Sequence, residues 1–340
     1  MKRPWLAPLV PLYAAGVAAR GLVLKLGWGP ARHLHWPVIS IGNLSTGGAG
    51  KTPFAIALAR LLAAERYSVD ILSRGYGRQS NEPARVRDDG TVEEFGDEPL
   101  LIARETGLPV YVAPRRFDAG QLAEAEFDAS EQHISREGQF SAAHILDDGF
   151  QHRQLARDVD ILLLDRLDWQ DCLLPAGNLR EGLHSARRAD VIAIPADDSE
   201  LETELRGWGW KGPVWRLLRR MEIPAIDGPV TAFCGIAHPE QFFNGLEQAG
   251  LRLAARTAFR DHHRFTAQDV QTLVSMAGSA GTAALITTEK DAVRLEMLAS
   301  GFPANLPLKT ARLRIEIENQ TDVLAWLVNR LSSCPANPPL

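Results

Sequence analysis

Eight residues, Ser45-Thr46-Gly47-Gly48-Ala49-Gly50-Lys51-Thr52, separate the apolar β-branched run Val38 to Ile41 from the helix-compatible run Phe54 to Ala64. This sequence of strand, glycine-rich loop and helix constrains the fold more than any other feature. It demands a buried strand whose carboxyl end meets a helix amino terminus across a turn that curls its N–H groups inward. Such a turn cradles phosphates, and the helix adds the positive end of its dipole. Lys51 then reaches the β- and γ-phosphates, and the Thr52 hydroxyl is placed to ligate Mg²⁺. All eight residues are therefore expected to line a nucleoside triphosphate. The strict pattern G-x-x-x-x-G-K-[ST] has glycine where this chain carries Ser45.

The rest of the chain supports the same fold class. Apolar runs recur at Val38 to Ile41, Val69 to Leu72, Val110 to Val112, His144 to Leu146, Val159 to Leu164 and Val191 to Ile194, with helix-compatible stretches between several of them. Nearly continuous apolar strands are those covered on both faces, so the pattern predicts a parallel α/β sheet flanked by helices, like that of P-loop NTPases. Gln79 to Glu94 and Ala123 to Gln139 read as excursions from the sheet. Met221-Glu222-Ile223-Pro224 and Asp227-Gly228-Pro229 punctuate the chain before a second βα series, with strands at Val230 to Cys234 and Ala283 to Thr287 and helices at Pro239 to Ala249 and Thr266 to Met276. The expected organisation is a segment over residues 1–30, a nucleotide-binding domain over 31–215, a linker over 216–230 and a smaller α/β domain over 231–340. An amphipathic helix follows Asn319, and Pro335 to Leu340 reads as frayed.

At 340 residues with a net charge of −5, the chain has room for two domains and no broad cationic surface for nucleic acid. Its three cysteines, Cys172, Cys234 and Cys334, are too few and too scattered for a disulfide framework or a metal cluster, which points to reducing cytoplasm. The N-terminal segment is unusual. Lys2-Arg3 precede fifteen uncharged residues, Trp5 to Ala19, before Arg20 and Lys25. Fifteen helical residues reach about 22 Å of a hydrocarbon core about 30 Å thick, and Pro8 and Pro11 weaken even that. A signal peptide with Val17-Ala18-Ala19 as its cleavage site is a rival, but export would separate the phosphate loop from its ligand. Trp5, Leu6, Leu9, Leu12, Tyr13, Leu22, Leu24 and Trp28 suit an amphipathic segment resting in a membrane interface.

Several further clusters bear on chemistry. His144 to Leu146 ends in Asp147-Asp148-Gly149-Phe150-Gln151-His152, where Asp147 or Asp148 is the natural Mg²⁺ partner of Thr52, since acidic residues at the carboxyl end of a buried strand hold the metal in phosphate-loop enzymes. Ser73-Arg74-Gly75-Tyr76-Gly77-Arg78 can form an anion-binding loop at the same sheet edge. Asp97, in Gly96-Asp97-Glu98-Pro99, reads locally as a helix N-cap, or as a carboxylate able to take a proton from an attacking hydroxyl. Adjacent His262 and His263 point to opposite faces of an extended backbone and so do not make one metal site; one of them, beside Asp261, can orient a base. Thr287-Thr288-Glu289-Lys290-Asp291 faintly echoes the base-reading signature of GTP-binding proteins.

In order along residues 42–291, the pieces Gly42-Asn43-Leu44, Gly50-Lys51-Thr52-Pro53, Ser73-Arg74-Gly75-Tyr76-Gly77, Gly96-Asp97-Glu98-Pro99, Asp147 to His152, Leu174-Pro175-Ala176-Gly177, Arg180-Glu181, Asp261-His262 with Phe265, and Thr288 to Asp291 resemble the tetraacyldisaccharide 4′-kinases of lipid A biosynthesis. The resemblance implies two α/β domains and transfer of the γ-phosphoryl group of ATP, with Mg²⁺, to the 4′-hydroxyl of a tetraacylated glucosamine disaccharide 1-phosphate. It implies Asp97 as the group that deprotonates the hydroxyl, His262 as the residue that tunes it, and Lys51 as a catalytic cation. Arg74, Tyr76, Gly77, Gln151 and His152 fall on the acceptor side, and Glu289, Lys290 and Asp291 on the nucleotide side. The partners implied are the lipid and, through the N-terminal segment, the cytoplasmic face of the inner membrane, with no nucleic acid and no obligate protein. The competing readings are a GTP-dependent switch or metallochaperone and a kinase for a soluble metabolite, which leaves Trp5 to Trp28 unexplained.

Overall fold

The computed structural model describes residues 3–25, 31–47, 50–129 and 141–332. The described residues up to Leu218, together with those from Ile315 onward, form one compact unit, and Arg219–Arg314 form another.

The first unit opens with a 3₁₀ turn, Pro4–Leu9, that runs into α1 (Val10–Lys25). Then follow β1 (Val38–Asn43), α2 (Lys51–Ala64), β2 (Ser68–Ser73), the two-residue β3 (Ala84–Arg85), α3 (Val92–Phe95), α4 (Asp97–Thr106), β4 (Val110–Val112) and α5 (Arg116–Asp128). After these come β5 (Ala142–Leu146), β6 (Val159–Leu163), α6 (Arg166–Trp169), β7 (Val191–Pro195), α7 (Ser199–Gly207) and β8 (Val214–Glu222). The second unit holds β9 (Val230–Cys234), α8 (Pro239–Gln248), β10 (Leu253–Ala258), α9 (Ala267–Ser279), β11 (Ala284–Thr288) and α10 (Glu289–Arg294). The chain closes with β12 (Leu308–Ile317) and α11 (Gln320–Ser332).

In the first unit the strands lie in the order β8-β7-β6-β1-β5-β2-β4-β3, parallel except for the β3–β4 pair. Every residue of β1 and β5 is buried, as a sheet covered on both faces requires. β1 sits between β5 and β6, with Val38 beside His144 and Ile39 beside Val159. The chain reverses its direction of winding there, so the loops leaving the carboxyl ends of these strands open onto one crevice. Gly42 permits the close approach this needs, because a Cβ at that position would lie 2.5 Å from Phe150 Cβ. In the second unit the order is β10-β9-β11-β12, all parallel, over two apolar clusters built on Phe242 and Phe243 and on Phe233 and Leu273.

Three features depart from the sequence reading. β8, β10 and β12 were not anticipated, because strands with one solvated face alternate apolar residues with charged ones such as Arg216, Arg256 and Arg314 and show no continuous apolar run. The last helix belongs with the first unit, not with the second. Val323, Leu327 and Leu331 of α11 are buried, Trp326 meets Trp215 edge to face at 5.7 Å, and Arg330 pairs with Asp190 at 3.1 Å.

The N-terminal prolines do not shorten the segment: Pro8 lies in the 3₁₀ turn and Pro11 in the first turn of α1, where a missing N–H breaks no helical bond. Pro4–Val23 is thus 20 residues, long and apolar enough by length and composition to cross a membrane, and none of it is buried. Arg20 is the one charge between Pro4 and Leu24, so the segment is apolar around its circumference and lacks the polar face of an amphipathic helix. Gly48, Ala49, Trp28, Cys334, most of the excursion toward Gln139 and the frayed tail lie outside the described residues.

Candidate active site

The phosphate loop begins where β1 ends. Asn43, the last residue of β1, sends its side chain along the loop, with Nδ2 donating to Ser45 Oγ at 3.0 Å and to the Gly47 carbonyl at 3.2 Å. Lys51, the first residue of α2, donates through Nζ to Asn43 Oδ1 at 2.9 Å and to the Gly47 carbonyl at 3.2 Å. Its ammonium also lies 3.4 Å from Asp148 Oδ1. Gly50 precedes the helix in a left-handed conformation, and Thr52 is 2% exposed in the first helical turn. The N–H groups of that turn and the Lys51 ammonium converge on the space a phosphate chain takes. Thr46 does otherwise: both its N–H and its hydroxyl bond to the Asn178 carbonyl, at 2.8 and 3.3 Å. With the Ser45–Leu179 bridge and the Arg180 N–H donating to the Leu44 carbonyl at 2.7 Å, this makes the outer limb of the loop a short two-stranded ribbon with residues 178–180.

The carboxylates expected to hold Mg²⁺ follow β5. Asp147 is buried, and Asp148 adopts a positive φ of 49° that turns it toward Lys51. Although burial opposes its charge, Lys51, Arg180 and Arg116 hold the Asp148 carboxyl down at about 2, so it is ionised at neutral pH. Arg180 Nη1 lies 3.0 Å from Asp148 Oδ2 and 3.3 Å from Gln151 Oε1, and Gln151 Nε2 donates to the Asn43 carbonyl at 2.8 Å. Arg180 and Asn43 thus knit the phosphate loop to the Asp147–His152 turn; both occur in the family-like pieces, but nothing local in the sequence marks them as the links. No group of three or more His, Cys, Asp or Glu that could hold a metal by itself occurs among the described residues. One hydroxyl and one or two carboxylates nonetheless suit Mg²⁺, which keeps several waters and takes its remaining ligands from phosphate.

Asp97 is the first residue of α4 rather than its cap. Gly96 takes the cap position with φ 88°, and a Cβ there would sit 3.0–3.1 Å from Gly75 and the Tyr76 carbonyl. The glycines therefore press the Arg74-Gly75-Tyr76-Gly77 loop against the start of α4, beside Asp97. The Asp97 carboxyl is 3% exposed and accepts from the Glu98 N–H at 3.0 Å, while Tyr76 stands 62% exposed. Arg116, at the start of α5, is also buried in the field of Asp148, Asp147 and Glu98, with Arg74 opposing.

In the second unit, His262 has φ 56°, and its Nδ1 faces Arg294 Nη2 at 3.1 Å. Because Arg294 can only donate, the neutral ring carries its proton on Nε2. His263 turns away to Asp269 at 3.1 Å and stacks on Phe259, so the two histidines do separate work. Asp291, expected on the nucleotide side, has its carboxylate engaged within the second unit. It is fully buried, accepts from the Gly235 N–H at 2.9 Å and the Thr288 hydroxyl at 2.7 Å, and pairs with Arg294 at 2.8 Å. Glu289 faces Arg314 at 3.3 Å and the Leu313 N–H at 3.1 Å.

Comparison with known proteins agrees with this geometry. The sequence profile of the tetraacyldisaccharide-1-P 4′-kinases (LpxK) matches residues 2–332. The tetraacyldisaccharide 4′-kinase of Koribacter versatilis is 39% identical, covering 94% of this chain and 97% of that protein. That of Desulfotalea psychrophila is 33% identical over 93% and 94% of the two chains. LpxK from Aquifex aeolicus, crystallised in complex with ATP, superposes with a TM-score of 0.72 at 30% identity, over 96% of this chain and 98% of its own. With a phosphate loop, an Asp-Asp turn and a GDEP helix start along one sheet edge, and with full-length likeness to these enzymes, the chain belongs to the tetraacyldisaccharide 4′-kinase family.

Proposed function

We propose that this protein transfers the γ-phosphoryl group of ATP to the 4′-hydroxyl of a tetraacylated glucosamine disaccharide 1-phosphate, giving a 4′-phosphorylated lipid A precursor. The observation that carries the reading is the arrangement of Lys51, Asp148 and Arg180 around the phosphate loop of a chain that matches these kinases over residues 2–332. Ser45, Gly47, Gly50, Lys51 and Thr52, with Gly48 and Ala49, hold the triphosphate. Thr52 with Asp147 or Asp148 would hold Mg²⁺, which would supply neutralisation of phosphate charge. Lys51 follows the moving phosphoryl group, and positioning and charge neutralisation supply most of the rate.

Asp97 is assigned as the acceptor of the hydroxyl proton and His262 as the residue that tunes it. Burial of Asp97 keeps water from competing for that proton. Arg74, exposed Tyr76, Gly77, Gln151 and His152 are assigned to the sugar and its phosphate, and Glu289 and Lys290 to the nucleotide side. The uncovered apolar segment Pro4–Val23 is assigned to the membrane surface that holds an acylated acceptor, on the cytoplasmic side where ATP is available.

The deciding experiment is mass spectrometry of the purified acceptor lipid after incubation with ATP and Mg²⁺. The expected product carries one added phosphate; an unchanged lipid, or nucleotide hydrolysis that ignores the lipid, overturns the assignment. For the membrane assignment, removal of residues 1–25 should release the folded protein from vesicles, and full retention refutes it.

A further inference from the structure

Three parallel strands of the second unit, β9, β10 and β11, end along one edge of its sheet, and polar groups just beyond them form a network around Arg294. The Gly235 carbonyl, one residue past β9, accepts from Arg294 Nη1 at 2.9 Å and from the His262 N–H at 3.2 Å, while the Gly235 N–H donates to Asp291 Oδ2 at 2.9 Å. Asp291 Oδ1 accepts from the same Arg294 Nη1 at 2.8 Å, and Arg294 Nη2 reaches His262 Nδ1 at 3.1 Å. The Arg294 side chain is 6% exposed and that of Asp291 is fully buried, whereas the His262 ring is 33% exposed. A guanidinium braced by a buried carboxylate thus directs its planar fork at one nitrogen of a partly exposed ring. The backbone at His262 is fixed as well: its φ of 56° is uncommon for a residue with a Cβ, and its N–H is shared between the Gly235 carbonyl and Asp261 Oδ1, at 3.2 and 3.0 Å.

We propose that Arg294 is a positioning residue for His262, fixing the plane and tautomer of the ring so that it presents Nε2–H as a hydrogen-bond donor. The inference deepens the kinase reading, in which His262 tunes the base Asp97, and it rests on that reading. Donation into Nδ1 occupies the lone pair that a second proton would need, and the guanidinium charge opposes another cation beside it. Asp261 Oδ1 lies 4.0 Å from Nε2, beyond hydrogen-bond reach, and its charge favours a proton on that side of the ring. His262 is then a neutral donor rather than an acid or a base. That suits a group which orients a carboxylate without competing for the proton the carboxylate is to take.

The test is ¹⁵N NMR of the full chain labelled at its histidines, at about pH 8, above the ordinary imidazole range near 6.5. Of the nine histidines, the signal lost in His262→Gln is that of His262. In the wild type it should show the proton on Nε2 and an unprotonated Nδ1; in Arg294→Met the two tautomers should mix. Arg294→Met should lower kcat about ten- to a hundredfold while the KM for ATP stays near the wild-type value, and adding it to His262→Gln should cost nothing further. Should Arg294→Met not fold, because Asp291 is left buried without its cation, Arg294→Lys keeps that charge but cannot serve Gly235, Asp291 and His262 at once, and should give the same two signatures. A proton on Nδ1 in the wild type, an unchanged tautomer in the variants, or losses that add in the double variant overturns the inference and leaves the kinase reading intact. A wild-type chain that phosphorylates no acceptor lipid overturns the kinase reading, and with it the catalytic purpose of the anchor.

Discussion

Two junctions in this protein follow the same plan, a buried parallel strand that leads into the amino terminus of a helix, through a loop after β1 and directly after β11, yet they treat their polar groups in opposite ways. In the first unit the loop after β1 spends its outer donors on residues 178–180 and leaves Lys51, Thr52 and the α2 amino terminus turned toward the crevice, with Lys51 held by carbonyl, amide and carboxylate oxygens that a phosphate can replace. In the second unit β11 runs directly into α10, and the first turn of that helix consumes its carboxylate internally: Asp291 is fully buried against Gly235, Thr288 and Arg294. A strand-to-helix junction becomes a binding site when its polar groups are left for exchange, and a structural lock when they are not.

The comparison is open to direct attack, beginning with the largest effect. Lys51→Ala should reduce phosphoryl transfer by about a thousandfold or more without lowering Tm, because the charge it supplies is needed at the moving phosphoryl group and not by the fold. Asp97→Ala should lose about a hundred- to ten-thousandfold in kcat while MgATP affinity stays near normal, as measured by equilibrium binding; near-normal turnover would remove Asp97 from its role. Asp291→Ala should do the reverse, costing about 3–5 kcal/mol of stability in denaturant unfolding by stranding Arg294 in a buried site. If it left Tm unchanged and weakened nucleotide binding, the contrast between the two junctions would fail.

A third polar cluster sharpens the point. His144 on β5 is fully buried, 2.7 Å from Asp70 and 3.2 Å from Glu124, and stacks on Trp36. Burial opposes its charge, but the two carboxylates raise it from 6.5 to about 9. A raised folded-state value stabilises the fold fully below about pH 6.5 and loses that contribution as pH climbs through about 9. Unfolding at stepped pH should show a fall of about 3 kcal/mol across that window, absent in His144→Gln, with no matching change in nucleotide affinity.

Much of this could be read in advance where one residue type carries one demand. Continuous apolar runs announced β1, β2, β4 to β7, β9 and β11, and the glycine-lysine-threonine loop announced the phosphate site. What stayed hidden depends on partners far along the chain. The return of α11 to the first unit is fixed by Trp326 against Trp215, a contact that local periodicity does not encode. Asp97 looked like a cap because an acidic residue before an apolar helix usually is one; Gly96 takes that position because the Gly75–Tyr76 backbone leaves no room for a Cβ.

The N-terminal segment touches the body of the first unit at two points that matter beyond their size. The Arg3 N–H bonds to the Ala176 carbonyl at 2.6 Å, and the Tyr13 hydroxyl donates to the Arg180 carbonyl at 3.1 Å. Residues 176 and 180 bracket the ribbon that grips Thr46, and Arg180 itself bridges Asp148 and Gln151. The N-terminal helix is therefore tied by two hydrogen bonds to the same short stretch of backbone that clasps the outer limb of the phosphate loop, so its seating and the shape of that rim share one set of anchors.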